Sequence, residues 1–289
     1  MIASMTKDLT NDEEIIKVYK SFSENLEMAT TEAFKNAKKS MQEKDIRDVI
    51  LGGDDMTVIC NANDALEFTN AFLYEFETQT KKLMGGAGLT ACAGIAYCNH
   101  KYPFHYAEKL AESLCNYAKK YSKEINKNLA PSSLMFHNIQ SSNFSDYTDY
   151  IVKELTLNRD DDKVGLNYGP YFVKEQNGYA TVTSFKNLTK ALEIKGSPVG
   201  RFREWLTMLG QDATEAKERL LRINDMMELR EAIYHKKPLE NALRKLHDKL
   251  SIKNLIVQRE KEKYTPIGDV ISHLSVVEYA VSKSEEEEK

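Results

Sequence analysis

The sequence lacks several features that would define whole classes of protein. No apolar run approaches the roughly 18 residues that a membrane-spanning helix requires, and Met1–Asp12 contains no apolar stretch typical of a secretory signal. The 289 residues include only four cysteines, which are unevenly spaced at Cys60, Cys92, Cys98 and Cys115. This pattern suits a reducing compartment better than a disulfide framework. We therefore expect a cytoplasmic protein that does not enter a membrane.

A charge excess of one sign is also absent. The 40 lysines and arginines nearly balance the 44 aspartates and glutamates, which gives a formal net charge of −4. Such a balance does not support non-specific binding to nucleic acid, so any nucleic-acid contact must be local. The first 150 residues contain 16 basic and 21 acidic residues, whereas the remainder contains 24 and 23, so a cation site is expected in the first part. No Gly-rich loop followed by Gly-Lys-Ser or Gly-Lys-Thr is present, and a P-loop site is therefore not expected.

Hydrophobic periodicity predicts the elements of the first half. Apolar residues at helical spacing predict one long helix, or two, from Asn11 to about Lys44, with Asn11 and Glu14 as a capping pair. Two β-branched runs, Ile46–Leu51 and Met56–Cys60, flank a turn of glycine and aspartate and predict a β-hairpin. The other predicted elements are a helix over 64–78, a strand over 89–97, a helix from 103 to 123 and a strand over 133–139.

The character of the sequence changes near its middle. Residues 141–163 mix Ser, Asn, Asp and Tyr, which predicts a surface connection between domains. Helical patterns follow over 199–209, 212–234, 238–250 and 267–281, before the acidic tail Ser284–Lys289. We predict a first domain over 1–140, a connecting excursion over 141–165 and a mainly helical C-terminal domain over 166–289.

The most informative motif is Gly52-Gly53-Asp54-Asp55, at the tip of the predicted hairpin. Glycines permit the positive φ and the close backbone approach that a bulky substrate group needs. Two adjacent carboxylates between strands can hold Mg²⁺, a hard cation that keeps water and phosphate oxygens in its other positions. The same residues are also favoured in an ordinary hairpin turn, so the motif alone leaves both interpretations open.

Four blocks of the sequence occur in the order found in one type of palm domain. They are Ile50–Cys60, Leu89–Ala96, Tyr102–Lys119 and Pro131–Phe136. Together they resemble the cyclase-type palm of the large, polymerase-like subunit of type III CRISPR effector complexes. The resemblance implies an α+β chain, with a ferredoxin-like palm of the nucleotidyl cyclase and polymerase type, its first strand absent, followed by an α-helical bundle domain.

The resemblance also implies an activity. Palms of this type condense nucleoside triphosphates, typically ATP, into cyclic oligonucleotide signals in antiviral defence, as part of an RNA-guided complex. The implied metal ligands and catalytic residues are Asp54 and Asp55, which would hold Mg²⁺ or Mn²⁺, and the implied nucleotide-binding residues include Gly52 and Gly53.

Three lysines near the end of the third predicted helix are further candidates. Lys119 matches the position at which related cyclases place a lysine on the triphosphate, and Lys120 and Lys123 are near enough in the sequence to contribute. Lysines also suit a solvated helix C-terminus, where the helix dipole favours cations, so both interpretations of these residues stay open.

The sequence departs from the family pattern at its start. In such palms a first strand supplies another metal-binding aspartate, whereas Met1–Asp8 is short and contains no apolar strand. A sheet without that strand would expose unpaired edges, so a partner chain or self-association is expected to complete the palm. The alternative is a non-catalytic structural or regulatory palm subunit of a defence complex.

Overall fold

The computed structural model describes residues 11–42, 45–84, 86, 88–139, 147–159, 162–230, 235–259 and 261–287. The helices of these residues are α1 (Asp12–Ser40), α2 (Ala62–Met84), α3 (Phe104–Ile125), α4 (Tyr147–Glu154), α5 (Val182–Glu193), α6 (Val199–Leu209), α7 (Ala213–Leu229), α8 (Lys236–Leu246) and α9 (Pro266–Glu287). The strands are β1 (Ile46–Gly52), β2 (Asp55–Cys60), β3 (Cys92–Tyr97), β4 (Ser133–Asn138), β5 (Thr156–Arg159), β6 (Asp162–Gly165), β7 (Tyr171–Phe172), β8 (Val257–Arg259) and β9 (Glu262–Tyr264).

The chain divides into two compact units. The first comprises Met1–Cys92 and Ser122–Ser132, and the second comprises Ala93–Tyr121 and Ser133–Lys289. The domain boundary over 141–165 was predicted from the polar composition of that segment, and it stays a prediction. Among the residues that the structure describes, no helix combines the length and apolar character needed to cross a membrane.

The first unit is built on the packing of α1 against α2. The Asn11 side chain caps α1 by accepting a hydrogen bond from the Glu13 backbone N–H (3.0 Å), which confirms the predicted start of this helix. The hydrophobic pattern was compatible with one helix or with two. The structure shows a single helix, which ends at Ser40. Its buried residues recur at helical spacing in the second half, where Phe34 meets Phe68 of α2 edge to face at 5.9 Å between ring centroids.

The predicted hairpin is confirmed as the antiparallel pair β1 and β2. Its register runs from Ile46 opposite Cys60 to Gly52 opposite Asp55, and it shifts at Val49, where one extra residue forms a β-bulge. The two strands form a sheet of their own. Since β3 and β4 belong to another sheet, the ferredoxin-like arrangement expected of a palm stays a prediction.

The second unit contains a sheet with the strand order β3, β4, β7. Within it, α3 lies very close to β3 at Gly94. A Cβ atom at this position would be 1.9 Å from the Ala111 carbonyl oxygen, so only glycine permits this approach.

A further sheet has the strand order β5, β6, β9, β8, and two of its strands lie within residues 141–165. That segment was expected to be a surface connection, but its described part folds into α4, β5 and β6, and Tyr147 and Val164 are completely buried. β6 pairs in parallel with β9, about 100 residues further along the chain, whereas the other two pairs are antiparallel. Local composition gives no sign of such a distant partner.

The predicted helical character of the last hundred residues is confirmed in part. α6 covers the predicted range 199–209, and Trp205 lies in the core, with 1% of its area exposed. The helix α5 was not predicted, and the hairpin of β8 and β9 interrupts the helices that were. α9 extends beyond the predicted 267–281 and continues into the acidic tail as far as Glu287, while residues 288–289 lie outside the described residues.

A buried carboxylate joins the start of α9 to the chain before β7. Asp269 Oδ2 accepts hydrogen bonds from the backbone N–H groups of Tyr168 (2.8 Å) and Gly169 (3.0 Å) and from the Tyr171 hydroxyl (2.7 Å). Burial raises the pKa of Asp269 to about 6, although these three hydrogen bonds and the nearby Arg259 act in the opposite direction. The Arg259 guanidinium lies 3.7 Å from the centroid of the Tyr168 ring and donates to the Tyr168 carbonyl oxygen (2.6 Å).

Candidate functional site

The tip of the hairpin is a two-residue turn. Because Gly52 pairs with Asp55, the turn consists of Gly53 and Asp54. Gly53 has a φ of +61°, and Asp54 is not among the residues with positive φ, which is the sign pattern of a type II′ turn with glycine at its first central position. Asp54 and Asp55 are both exposed, so the structure brings two adjacent carboxylates to one accessible tip.

Open space lies next to the two glycines of the tip. A Cβ atom added to Gly52 or to Gly53 would meet no other atom within 4 Å. The backbone conformation explains why residue 53 is a glycine, since φ is positive there. At Gly52 the packing of this chain does not require glycine, and the space that a side chain would fill is available to a ligand.

The tip is attached to α1. The hydroxyl of Thr30, a residue with 1% of its area exposed, donates to the carbonyl oxygen of Gly53 at 2.7 Å and also lies 2.9 Å from the Leu26 carbonyl oxygen of its own helix. The opposite end of β1 is held in the same way, because Lys38 Nζ donates to the Ile46 carbonyl oxygen (2.9 Å). The two attachments are eight residues apart on α1, about 12 Å at a rise of 1.5 Å per residue.

We expect the Thr30 contact to hold the turn in place. Thr30→Val keeps the shape of the side chain but leaves the Gly53 carbonyl without its donor, which should lower the free energy of unfolding by about 1 kcal/mol. It should also speed amide hydrogen exchange at Gly53 and Asp54. Urea unfolding and hydrogen exchange read by mass spectrometry measure the two effects.

Thr78→Val is the matched control for this change. Among the described residues, the Thr78 hydroxyl bonds only to the Tyr74 carbonyl oxygen of its own helix, on an exposed face, so its loss should not alter exchange at the tip. Equal exchange at the tip in both variants would show that the Thr30 hydroxyl does not position the turn.

The three candidate lysines lie together in the last two turns of α3. Lys119, Lys120 and Lys123 are all exposed, and Lys119 and Lys123 share one face of the helix, four residues apart. Lys119 and Lys120 fall within the second compact unit, whereas Lys123 and the hairpin fall within the first. The structure therefore groups the carboxylates at one tip and the lysines on one helix, and their combination into one site stays a prediction.

The chemistry of the tip suits a hard cation. Within the described ranges, no group of three or more His, Cys, Asp or Glu side chains is arranged to hold a metal ion. Asp54 and Asp55 supply two carboxylates, which is the number that Mg²⁺ commonly takes from a protein when water and substrate phosphates complete its shell. Cys60 lies opposite Ile46, at the end of the hairpin away from the tip. Burial, together with the charge of Asp64, raises the pKa of its thiol to about 11, so Cys60 offers no thiolate to this site.

Sequence reasoning missed the two contacts that hold the hairpin. Thr30 is 23 residues from Gly53 in the chain, and Lys38 is eight residues from Ile46. No periodicity or motif links a threonine in the middle of a helix to the carbonyl group of a distant turn. The only signal that Thr30 gives is its position on the buried face of an amphipathic helix.

The order of elements in residues 12–138 is consistent with a palm domain. A long helix is followed by a hairpin that carries adjacent carboxylates, and then by a helix, a strand, a second helix and a second strand. Comparison with protein families is more specific: residues 2–129 match the Cas10/Cmr2 second palm domain. The match contains the hairpin and all three lysines, and it supports the predicted resemblance to the palm of the type III CRISPR large subunit. No curated protein sequence matches the chain.

Proposed function

We propose that this chain is a Mg²⁺-dependent nucleotidyltransferase that condenses ATP or another nucleoside triphosphate into a cyclic oligonucleotide signal in CRISPR antiviral defence. The observation that carries the proposal is the exposed pair Asp54 and Asp55 on a glycine turn fastened to α1, inside the segment that matches the Cas10/Cmr2 palm.

The residues at the tip fit the metal that this chemistry needs. Asp54 and Asp55 would each offer a carboxylate oxygen to Mg²⁺ or Mn²⁺, and the open space at Gly52 and Gly53 leaves room for phosphate oxygens. When bound, the ion polarises the phosphate oxygens and lowers the pKa of the attacking hydroxyl. The Thr30 contact keeps the carboxylates in position before substrate arrives, so little reorganisation is needed.

In the proposed reaction the 3′-hydroxyl of one nucleotide attacks the α-phosphorus of another. A new bond forms between O3′ and phosphorus, the bond from phosphorus to the bridging oxygen breaks, pyrophosphate leaves and the hydroxyl proton passes to water. Lys119, Lys120 and Lys123 are the proposed cationic partners of the triphosphate, whose charge they would balance.

The Cas10/Cmr2 match implies a CRISPR complex as the setting. We propose that the chain acts in the cytoplasm beside a guide RNA, and that a partner chain or a second copy completes a ferredoxin-like palm. The competing hypothesis is a palm subunit with a structural or regulatory role and no catalysis.

Product analysis tests the proposal directly. The purified chain, alone and with the proteins encoded by neighbouring genes, is incubated with each α-labelled nucleoside triphosphate in Mg²⁺, Mn²⁺ or EDTA, and the products are resolved by chromatography and mass spectrometry. We expect a cyclic or linear oligonucleotide that forms with metal and is absent in EDTA. Failure to bind nucleotide or to make product in any mixture would reject catalysis and favour the structural role.

A further inference from the structure

A second charged site lies in the second unit, on the helix pair α6 and α7. The two helices pack together and are joined by the short connection 210–212, and an ion pair between Arg219 and Glu204 (2.8 Å) links them. Where α7 ends beside the first turn of α6, the surface forms a hollow of about 430 Å³. Its lining residues are Arg201, Arg222, Asp225, Met226, Leu229 and Arg230.

Helix geometry explains why these residues meet. Arg201 lies eight residues before the end of α6, and Arg222 lies nine residues after the start of α7, so the antiparallel helices place the two at similar heights. Residues 222, 226 and 229 of α7 are spaced at i, i+4 and i+7 and therefore share one face. The next residue on each helix is core: Phe202 is completely buried, and Ile223 is 1% exposed.

The hollow carries a local positive charge in a chain of negative net charge. It contains three arginines and one aspartate, and Asp225 accepts a hydrogen bond from the Asn224 side chain (3.2 Å). Within the described part of the chain, neither Arg201 nor Arg230 forms an ion pair or hydrogen bond through its side chain. Arg222 lies 3.3 Å from Glu218, but both side chains are more than half exposed, and such a pair is easily exchanged for another anion.

Apolar surface adjoins the guanidinium groups. Leu229 is 85% exposed, the highest value among the large apolar residues of the described chain that are exposed, and Met226 is partly buried beside it. A ligand that satisfies both features has a compact anionic group and an adjoining apolar face. Three guanidinium groups around one hollow suit a phosphate, whose several oxygens accept paired N–H donors, better than the separated carboxylates of an acidic peptide.

We propose that this hollow binds the phosphate of a nucleotide, with Arg201, Arg222 and Arg230 on the phosphate oxygens and Leu229 against the sugar or base. Both a free nucleotide and a strand of RNA carry this chemistry. The site is independent of the carboxylates at the hairpin tip, so it does not rest on the proposed catalytic function.

Fluorescence anisotropy with the full chain tests the proposal. The probes are a labelled RNA of ten nucleotides with a 5′-phosphate, the same RNA with a 5′-hydroxyl, and a labelled AMP, and unlabelled AMP serves as a competitor. Arg201→Ala combined with Arg230→Ala should weaken binding about ten- to one-hundredfold and make the affinity less dependent on salt. A requirement for the 5′-phosphate identifies a strand end, and equal binding of both RNAs identifies the backbone. Binding of labelled AMP without binding of either RNA identifies a free nucleotide.

Lys217→Ala combined with Arg244→Ala is the matched control, because it removes two exposed positive charges from the same unit outside the hollow. Its affinity should equal that of the unchanged chain. Thermal unfolding of each variant verifies that it is folded. The proposal would be overturned if the unchanged chain bound neither RNA nor AMP, or if the two pairs of variants lost equal affinity. It would also be overturned if a poly-glutamate peptide competed as effectively as AMP.

The apolar wall provides a separate test. Leu229→Ser should weaken RNA or AMP binding about three- to tenfold, which corresponds to the partial loss of one leucine contact, and should leave competition by inorganic phosphate unchanged. If the variant lost the same factor of affinity for nucleotide and for inorganic phosphate, the assignment of Leu229 to the sugar or base would be contradicted.

Discussion

Alanine at both Asp54 and Asp55 is expected to lower metal-dependent condensation of nucleoside triphosphates by at least about a thousandfold. The reason is that the two carboxylates are the proposed metal ligands, a bound metal contributes several kcal/mol to transition-state stabilisation, and each 1.4 kcal/mol is a factor of ten in rate. The free energy of unfolding should change by no more than about 0.5 kcal/mol, because both side chains are exposed. Product yield with Mg²⁺ or Mn²⁺, together with urea unfolding, measures the two effects.

Asp48→Ala is the control for the double variant. Asp48 is an exposed carboxylate on the same hairpin, opposite Val58 and away from the tip, and its removal should leave turnover unchanged. If the double variant and Asp48→Ala retain equal activity in a preparation that makes product, Asp54 and Asp55 are not metal ligands. If the double variant still assembles with its partners and supports defence, the structural role is favoured.

Gly94→Ala is expected to destabilise the second unit by about 3 kcal/mol or more. The added Cβ would lie 1.9 Å from the Ala111 carbonyl oxygen and 2.6 Å from the Cys115 backbone nitrogen. Neither atom belongs to a flexible side chain, so β3 and α3 would have to separate, at the cost of the packing between them. Urea unfolding followed by circular dichroism should show a lower midpoint, and the yield of folded protein should fall.

Gly200→Ala makes the same chemical change in the same unit without the clash. A Cβ at Gly200 would meet no atom within 4 Å, and the position is helical, so stability should be unchanged or higher by up to about 1 kcal/mol. Equal unfolding midpoints for the two variants would show that β3 and α3 adjust to the extra methyl group and that their close approach is not a constraint.

The features that the sequence predicted well are those set by neighbouring residues. The hairpin was predicted because β-branched runs flank a glycine turn, and the start of α1 was predicted because Asn11 and Glu14 have the spacing of a capping pair. The adjacency of Asp54 and Asp55 at the tip follows from the same local rule. The end of α2 was predicted wrongly: this helix continues to Met84, whereas the pattern predicted its end near residue 78.

The features that could not be predicted from the sequence depend on residues far apart in the chain. The sheet of β5, β6, β9 and β8 combines strands about 100 residues apart, and each strand has only three or four residues, too few for a clear alternation of polar and apolar positions. The Thr30 contact to Gly53 is similar, since a hydroxyl and a carbonyl that meet across 23 residues carry no periodic signal. Such contacts depend on how distant segments pack in three dimensions, and a single sequence does not show that packing.

The parallel pairing of β6 with β9 and the bonds to Asp269 have a consequence for synthesis on the ribosome. Val164 and Gly165 are made about 100 residues before their partners Lys263 and Tyr264, an interval of roughly 5–20 s at about 5–20 residues per second. During that time the nascent chain has no partner for this edge of β6, nor for the N–H groups that later bond to Asp269. The second unit therefore completes its folding only after its last helix has begun to emerge, and until then its unfinished sheet is open to chaperones and to aggregation.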